Sequence, residues 1–204
     1  MTKILKLKKA KNKSAFAGDF KHDLLLIDLE MTGLDVNKHE IIQIAGVLLD
    51  RKSLKEKACF NTFVAPVRWH NRDKESMRVN GIKAEWVKNA PTLGQVLKVF
   101  NRKFNPKRVI LCNYGGPLDM DFLRKAYAEH RIKWQFDYHF LNLWAYFFVV
   151  LASRKQLTNH KKFTGFSLEN LVKKYQVKTL GARHDALTDC RIEAEVFRQM
   201  VISK

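Results

Sequence analysis

The clearest pattern along the chain is a run of four apolar residues, Leu24 to Ile27, that passes into alternation at "DLEM" (Asp28 to Met31). A short apolar run of this kind reads as a buried strand. "IIQIAGVLLD" (Ile41 to Asp50) and "ACFNTFVAP" (Ala58 to Pro66) read as second and third strands, bounded by turn residues such as Gly33 and Pro66. Short connections between the three predict an antiparallel meander. The period then changes: Leu93, Val96, Leu97, Phe100 and Phe104 recur at helical spacing behind Thr92, a residue suited to an N-cap. "RVILCN" (Arg108 to Asn113) predicts a fourth, buried strand, and "DMDFLRKAYAEH" (Asp119 to His130) a helix with Phe122, Leu123, Ala126 and Tyr127 on its apolar face. "LWAYFFVVLA" (Leu143 to Ala152) reads as a core helix, "SLENLVKKY" as a helix capped by Ser167 with Glu169 in its first turn, and "DALTDCRIEAEVFRQMVI" as a final helix from about Asp185. The fold class expected is α/β, a mixed β-sheet with helices after and between its strands.

Composition narrows the class. A chain of 204 residues with 46% hydrophobic content buries a full core, and no repeat or Pro/Gly/Ser linker divides it. The longest apolar run is too short for the ~20 residues of a bilayer crossing, so no membrane role is expected. Cys59, Cys112 and Cys190 are odd in number and lack C-x-x-C spacing, which argues against a disulfide framework or zinc site and for a reducing, cytoplasmic setting. No secretory signal is expected of the lysine-rich start "MTKILKLKKAKNK".

Charge points to a partner. Lys and Arg number 38 against 20 Asp and Glu, a net +18, which favours nucleic acid over a merely soluble basic surface or an anionic membrane. Residues 1–21 carry seven lysines and one Asp, a net +6. Residues 1–19 are therefore expected to form a flexible basic tail that contacts phosphates without sequence preference, and 20–204 the folded domain.

Candidate chemistry lies at element ends. Asp28 and Glu30, at i and i+2 of a strand, share one face. Asp119 stands at a strand-to-helix junction, and Asp189 one turn into the last helix, five residues after His184. Each has a simpler reading alone: Asp-x-Glu occurs by chance on surfaces, Asp119 and Asp185 suit N-caps, and a histidine beside an acid is commonly just hydrogen-bonded. The set carries the case, not any member.

"DLEMTGLD", "EIIQIAGV", "NYGGPLDMDFL" and "HDALTDCRIEAEVF" together resemble the exonuclease motifs of the DEDDh 3′-to-5′ exonuclease superfamily, a ribonuclease H-like group with polymerase proofreading subunits, ribonuclease T and oligoribonuclease. The resemblance spans about residues 22 to 202. In the second motif, "CNYGGPLD" departs from the usual His-Asn-Ala lead and aromatic-Asp pair; Phe122-Leu123, three residues on, favour Asp119 over Asp121. The resemblance implies a two-metal phosphodiesterase using Mg²⁺ or Mn²⁺, since hard cations prefer carboxylate oxygens. Asp28 would bridge both ions, Glu30 and Asp189 would complete one site, Asp119 would support the second, and His184 would be the general base. Met31, Thr32 and Leu34 are implied contacts for the terminal nucleotide, and Asn113 a further substrate-side residue. Implied partners are 3′ ends of single-stranded DNA or RNA, DNA favoured, with a polymerase or a second copy of the chain as candidate protein partners. The alternatives are an exoribonuclease and a catalytically inactive nucleic-acid-binding module.

Overall fold

The computed structural model describes residues 21–157, 167–178 and 184–202. The basic tail, 1–19, lies outside the described residues. Five strands form one sheet in the order β3-β2-β1-β4-β5: β1 Asp23–Met31, β2 Ile41–Leu49, β3 Glu56–Phe63, β4 Val109–Asn113 and β5 Leu141–Asn142. β1, β2 and β3 pair antiparallel, as the meander predicted, while β4 lies parallel to β1 and β5 parallel to β4.

β1 is apolar on both faces because helices cover both. Leu24 and Leu26 join a core with Leu143, Phe147 and Leu151 of α5 (Leu143–Ser153), Leu168 and Leu171 of α6 (Leu168–Tyr175), and Ala186, Val196 and Phe197 of α7 (Ala186–Ile202). Leu25, Ile27, Leu29 and Met31 face a second core with Val96, Leu97, Phe100 and Phe104 of α3 (Leu93–Phe104) and Phe122, Leu123, Ala126 and Tyr127 of α4 (Pro117–Glu129). Period-2 alternation continues past the apolar run, so Asp28 and Glu30 extend the Leu24–Leu26 face beneath α7.

Most helix ends follow the expected capping chemistry. Thr92 begins α3 in a capping box, its N–H donating to Gln95 Oε1 at 2.9 Å; Ser167 Oγ accepts the Asn170 N–H at 3.3 Å; Asp185 Oδ2 accepts that of Thr188 at 3.0 Å. Two expectations need correction. Helix α4 begins at Pro117 behind Gly116, so Asp119 sits inside the first turn and is not its N-cap. Helix α5 is not a fully buried core helix: the stripe Leu143, Phe147, Leu151 is buried, while Val149 is 63% exposed, because the helix covers one outer flank of the sheet. Two short helices went unforeseen, α1 (Lys74–Asn80) and α2 (Ala84–Val87). α1 has no buried residue and so no apolar period to read; Asp73 caps it and Gly81 closes it in the left-handed conformation. Among the described residues, no helix is long and apolar enough to cross a membrane.

Candidate active site

Acids gather near the C-terminal end of β1. Ligand oxygens of Asp28, Glu30 and Asp189 lie within 4.8 Å of one another. Two come from one face of β1, the third from the first turn of α7, which packs against β1 and β2. The antiparallel pairing of β1 and β2 shifts register just after Glu30, between Glu30 and Met31.

Asp119 enters from the parallel side. β4 runs beside β1, and after Asn113 the chain turns through Tyr114, Gly115 and Gly116 into α4. Gly116 takes φ 78°, open to glycine but costly for other residues. A Cβ on Gly115 would stand 3.0 Å from Asp119 Oδ2. The Gly-Gly-Pro departure from the usual motif is thus the turn that admits the Asp119 carboxylate. Asn113, fully buried, donates its side-chain amide to the Gly116 carbonyl at 2.6 Å and to Asp119 Oδ2 at 3.3 Å. Asp119 is itself buried and Asp121 exposed.

The electrostatics follow from this crowding. Loss of hydration holds the Asp28 carboxyl well above its ordinary range, reinforced by the negative charges of Asp119, Glu193, Glu30 and Asp189. Burial likewise pushes Asp119 up to about 6, against the opposing hydrogen bond from Asn113. Acids so placed resist joint ionisation unless a cation shares them. The donor set of hard carboxylate oxygens and its mutual repulsion both fit divalent ions such as Mg²⁺.

His184 stands immediately before the cap of α7, exposed, with φ 61°. Its backbone N–H donates to Asp189 Oδ2 at 3.2 Å, so the turn carrying the imidazole is tied to one of the clustered acids. Of the predicted substrate contacts, Leu34 is 67% exposed, whereas Met31 and Thr32 are buried. The Thr32 N–H donates to the Glu40 carbonyl at 2.9 Å and its Oγ1 accepts the Glu40 N–H at 3.0 Å. Asn80 donates to the Met31 carbonyl at 3.1 Å, and the Asp73 N–H to the Thr32 carbonyl at 2.7 Å, so the segment bearing α1 braces this turn.

Two residues near the centre escaped the sequence reading. Gln43, buried on β2 and paired in register with Glu30, donates to Asp185 Oδ1 at 2.8 Å and Asn61 Oδ1 at 3.0 Å, fastening the start of α7 to the sheet. Its signal was a polar residue inside the apolar stretch "IIQIAGV". Glu193, 2% exposed, lies one turn beyond Asp189 on α7, and i,i+4 spacing was its signal.

Comparison with known proteins agrees with this geometry. The RNase T exonuclease family model matches residues 25–197. The DNA polymerase III subunit epsilon of Rickettsia conorii is 26% identical over 179 residues, covering 87% of this chain and 73% of that protein. In structure, the nuclease domain of 3′hExo, described as a DEDDh family member bound to rAMP, aligns with TM-score 0.69 and 23% identity over 90% of this chain and 94% of that one. E. coli exonuclease I with a dA16 oligonucleotide aligns with TM-score 0.75 and 16% identity over 87% of this chain. The chain spans 40% of that exonuclease I chain and 12% of the PolC-type DNA polymerase III of Thermotoga maritima, so it corresponds to one region of each longer protein. The chain belongs to the RNase T exonuclease family, and its Asp28, Glu30 and Asp189 form a group able to hold a metal ion.

Proposed function

We propose that the enzyme removes nucleotides singly from the 3′ end of single-stranded nucleic acid, DNA in preference to RNA, releasing nucleoside monophosphates with the help of two Mg²⁺ or Mn²⁺ ions. The observation that carries this reading is the convergence of Asp28, Glu30 and Asp189 oxygens within 4.8 Å. In this reading Asp28 would be the acid common to the ions, Glu30 and Asp189 would help hold one of them, and Asp119 would support the other. Divalent ions held there would supply neutralisation of phosphodiester charge and a more acidic attacking water. His184 takes the proton from that water, a task suited to imidazole because such side chains ordinarily exchange protons near neutrality. Leu34, the exposed residue of the "MTGL" turn, packs on the terminal base, while Met31 and Thr32 hold the turn beside the 3′ hydroxyl. Asn113 acts by orienting Asp119, to which it donates a hydrogen bond.

DNA is preferred because curated relatives such as the Rickettsia conorii protein are DNA polymerase III epsilon subunits, which also makes a replicative polymerase the protein partner this reading implies. Residues 1–19 serve as a basic arm for longer strands, and the catalytic domain occupies 20–204. The test offers 5′-labelled DNA and RNA oligomers, single and double stranded, with Mg²⁺ or Mn²⁺. A ladder shortening by one nucleotide from the 3′ end, faster on single-stranded DNA, is expected. Cleavage of a circular single strand at a comparable rate would rule out reading from a free end.

A further inference from the structure

Gln43 sits on β2 with 2% exposure, level with Glu30 of β1 on one side and Phe63 of β3 on the other. A buried amide left unpaired is costly, and Gln43 engages every polar group it has. Its two side-chain N–H groups donate to Asn61 Oδ1 at 3.0 Å and to Asp185 Oδ1 at 2.8 Å, while its Oε1 accepts the Ala186 N–H at 3.5 Å. An ionised Asp185 offers only acceptors and the Ala186 N–H only a donor, so the amide fits in one orientation. The other Asp185 oxygen, Oδ2, is occupied by α7: it accepts the Thr188 N–H at 3.0 Å and the Thr188 hydroxyl at 2.8 Å.

His184 directly precedes Asp185. Its φ of 61° is a left-handed conformation that residues other than glycine adopt at a cost and keep where the surroundings enforce it. Enforcement comes from both sides: Asp189 Oδ2 accepts the His184 N–H at 3.2 Å, and the Asp185 side chain is clamped between Gln43 and Thr188. The turn is thereby tied to β2, the strand paired with the one that carries Asp28 and Glu30.

We infer that Gln43 is a positioning residue for the reaction: by donating to Asp185 it sets the turn that carries His184 relative to the Asp28 and Glu30 carboxylates. This role rests on the reading of His184 as the base. The polarity of the bond is what matters. In Q43E a carboxylate would face Asp185 Oδ1 and repel it. D185N alone must give up either the Gln43 bond or the Thr188 cap. The exchange Q43E/D185N restores the pattern with its polarity reversed, since the new amide can donate to the new carboxylate while its oxygen keeps the cap, and Asn61 can present its N–H in place of its oxygen.

The test is steady-state hydrolysis of a 5′-labelled single-stranded oligomer, DNA or RNA, whichever the parent degrades faster, by the full chain with Mn²⁺. It is run where thermal melts show every variant folded, beside Mn²⁺ affinity by electron paramagnetic resonance. Q43E is expected to lower kcat about tenfold or more, with KM and Mn²⁺ affinity within about twofold of the parent, as when a reacting group is misplaced and the ligands of the ions are not. D185N should also be slow, and Q43E/D185N should recover the parent kcat. In the H184A background Q43E should cost no further rate, because a residue that acts through His184 has nothing left to position. Parent-like kcat in Q43E, no recovery in the exchange, or an equal loss with and without His184 would each overturn the inference. Loss of Mn²⁺ affinity in step with rate would do so too, by placing the effect at Asp189. If Q43E does not fold, Q43M takes its place in both backgrounds; failure of both to fold assigns Gln43 to folding and overturns the inference as well. H184A with the parent's rate would remove the reading of His184 as the base, a result obtained with Gln43 intact and so distinct from all of these.

Discussion

The backbone N–H of His184 donates to Asp189 Oδ2 at 3.2 Å, so the residue read as the base is anchored through its main chain to an acid of the cation cluster. This bond does not involve the imidazole, so side-chain truncation separates proton transfer from site assembly. In His184→Ala the carboxylates remain, Mn²⁺ binding should match the parent, and turnover should fall by ~10² to 10⁴-fold, the usual contribution of a positioned base. Because hydroxide can substitute for a missing base, the residual rate should keep climbing with pH where the parent levels off. A pH-rate profile of the two proteins decides this; parent-like rate and profile would make His184 structural.

The raised carboxyls of Asp28 and Asp119 make a distinct prediction for stability. A carboxyl whose folded value exceeds its unfolded one binds its proton more tightly in the native state, so native stability falls as pH rises from the unfolded value toward and through the folded one. Asp119, pushed up to about 6, sets the window, roughly pH 4 to 6, and the raised Asp28 acts in the same sense. Acids held low by hydrogen bonds, such as the half-buried Asp50 and the exposed Asp73, act in the opposite sense at more acidic pH. In chelator, then, the melting temperature should rise on acidification from pH 7.5 to about 5, and Mg²⁺ should flatten that slope. A chelated protein that loses stability steadily over this range would contradict the crowding of the acids.

Much of this architecture is legible in the chain because local pattern and tertiary role coincide. β1 shows its burial by four consecutive apolar residues and its chemistry by period 2, and α3 shows its buried face in Val96, Leu97, Phe100 and Phe104. Where burial is not written periodically, the reading fails. α5 is apolar nearly throughout, so its sequence could not say that only Leu143, Phe147 and Leu151 are buried. α1 buries no residue fully and packs only the half-buried Met77 against the core, so its cap residues were the readable signal. Gln43 meets Asp185 across 142 positions, a pairing that no local window contains. Asp28, Glu30, Asp119 and Asp189 stand at predicted element ends and the family motifs single them out as a set, while Glu193, within the last motif but not one of its acids, shows its burial only in the packed helix.

The basic arm can be tested apart from the chemistry. Residues 1–21 carry a net +6, and counterion release by such charges gives a salt dependence that grows with each phosphate contacted. Deleting residues 1–18 should weaken binding to long strands and make log K fall less steeply with log salt, while a trinucleotide turns over at the parent rate. Binding isotherms at several salt concentrations, beside trinucleotide kinetics, check both arms. Loss of trinucleotide turnover would move these residues from electrostatic recruitment to the active site.

The sharpest discrimination comes from Asp28→Asn, because the proposed site requires activity and metal-free stability to change in opposite directions. Asp28 is the acid on which Asp119, Glu193, Glu30 and Asp189 all act, so replacing its carboxylate by an isosteric amide removes repulsion from each of those neighbours at once. In chelator near neutral pH the variant should therefore melt above the parent. The same change removes the charge that both ions are proposed to share, so Mg²⁺ should no longer raise the melting temperature appreciably and no practical Mg²⁺ concentration should restore turnover. Misfolding would lower activity and stability together, and loss of one peripheral ligand would be overcome by excess metal. Melts with and without Mg²⁺, set beside an Mg²⁺ titration of rate, separate these outcomes; recovery of the parent rate at high Mg²⁺ would show that Asp28 is not the shared ligand.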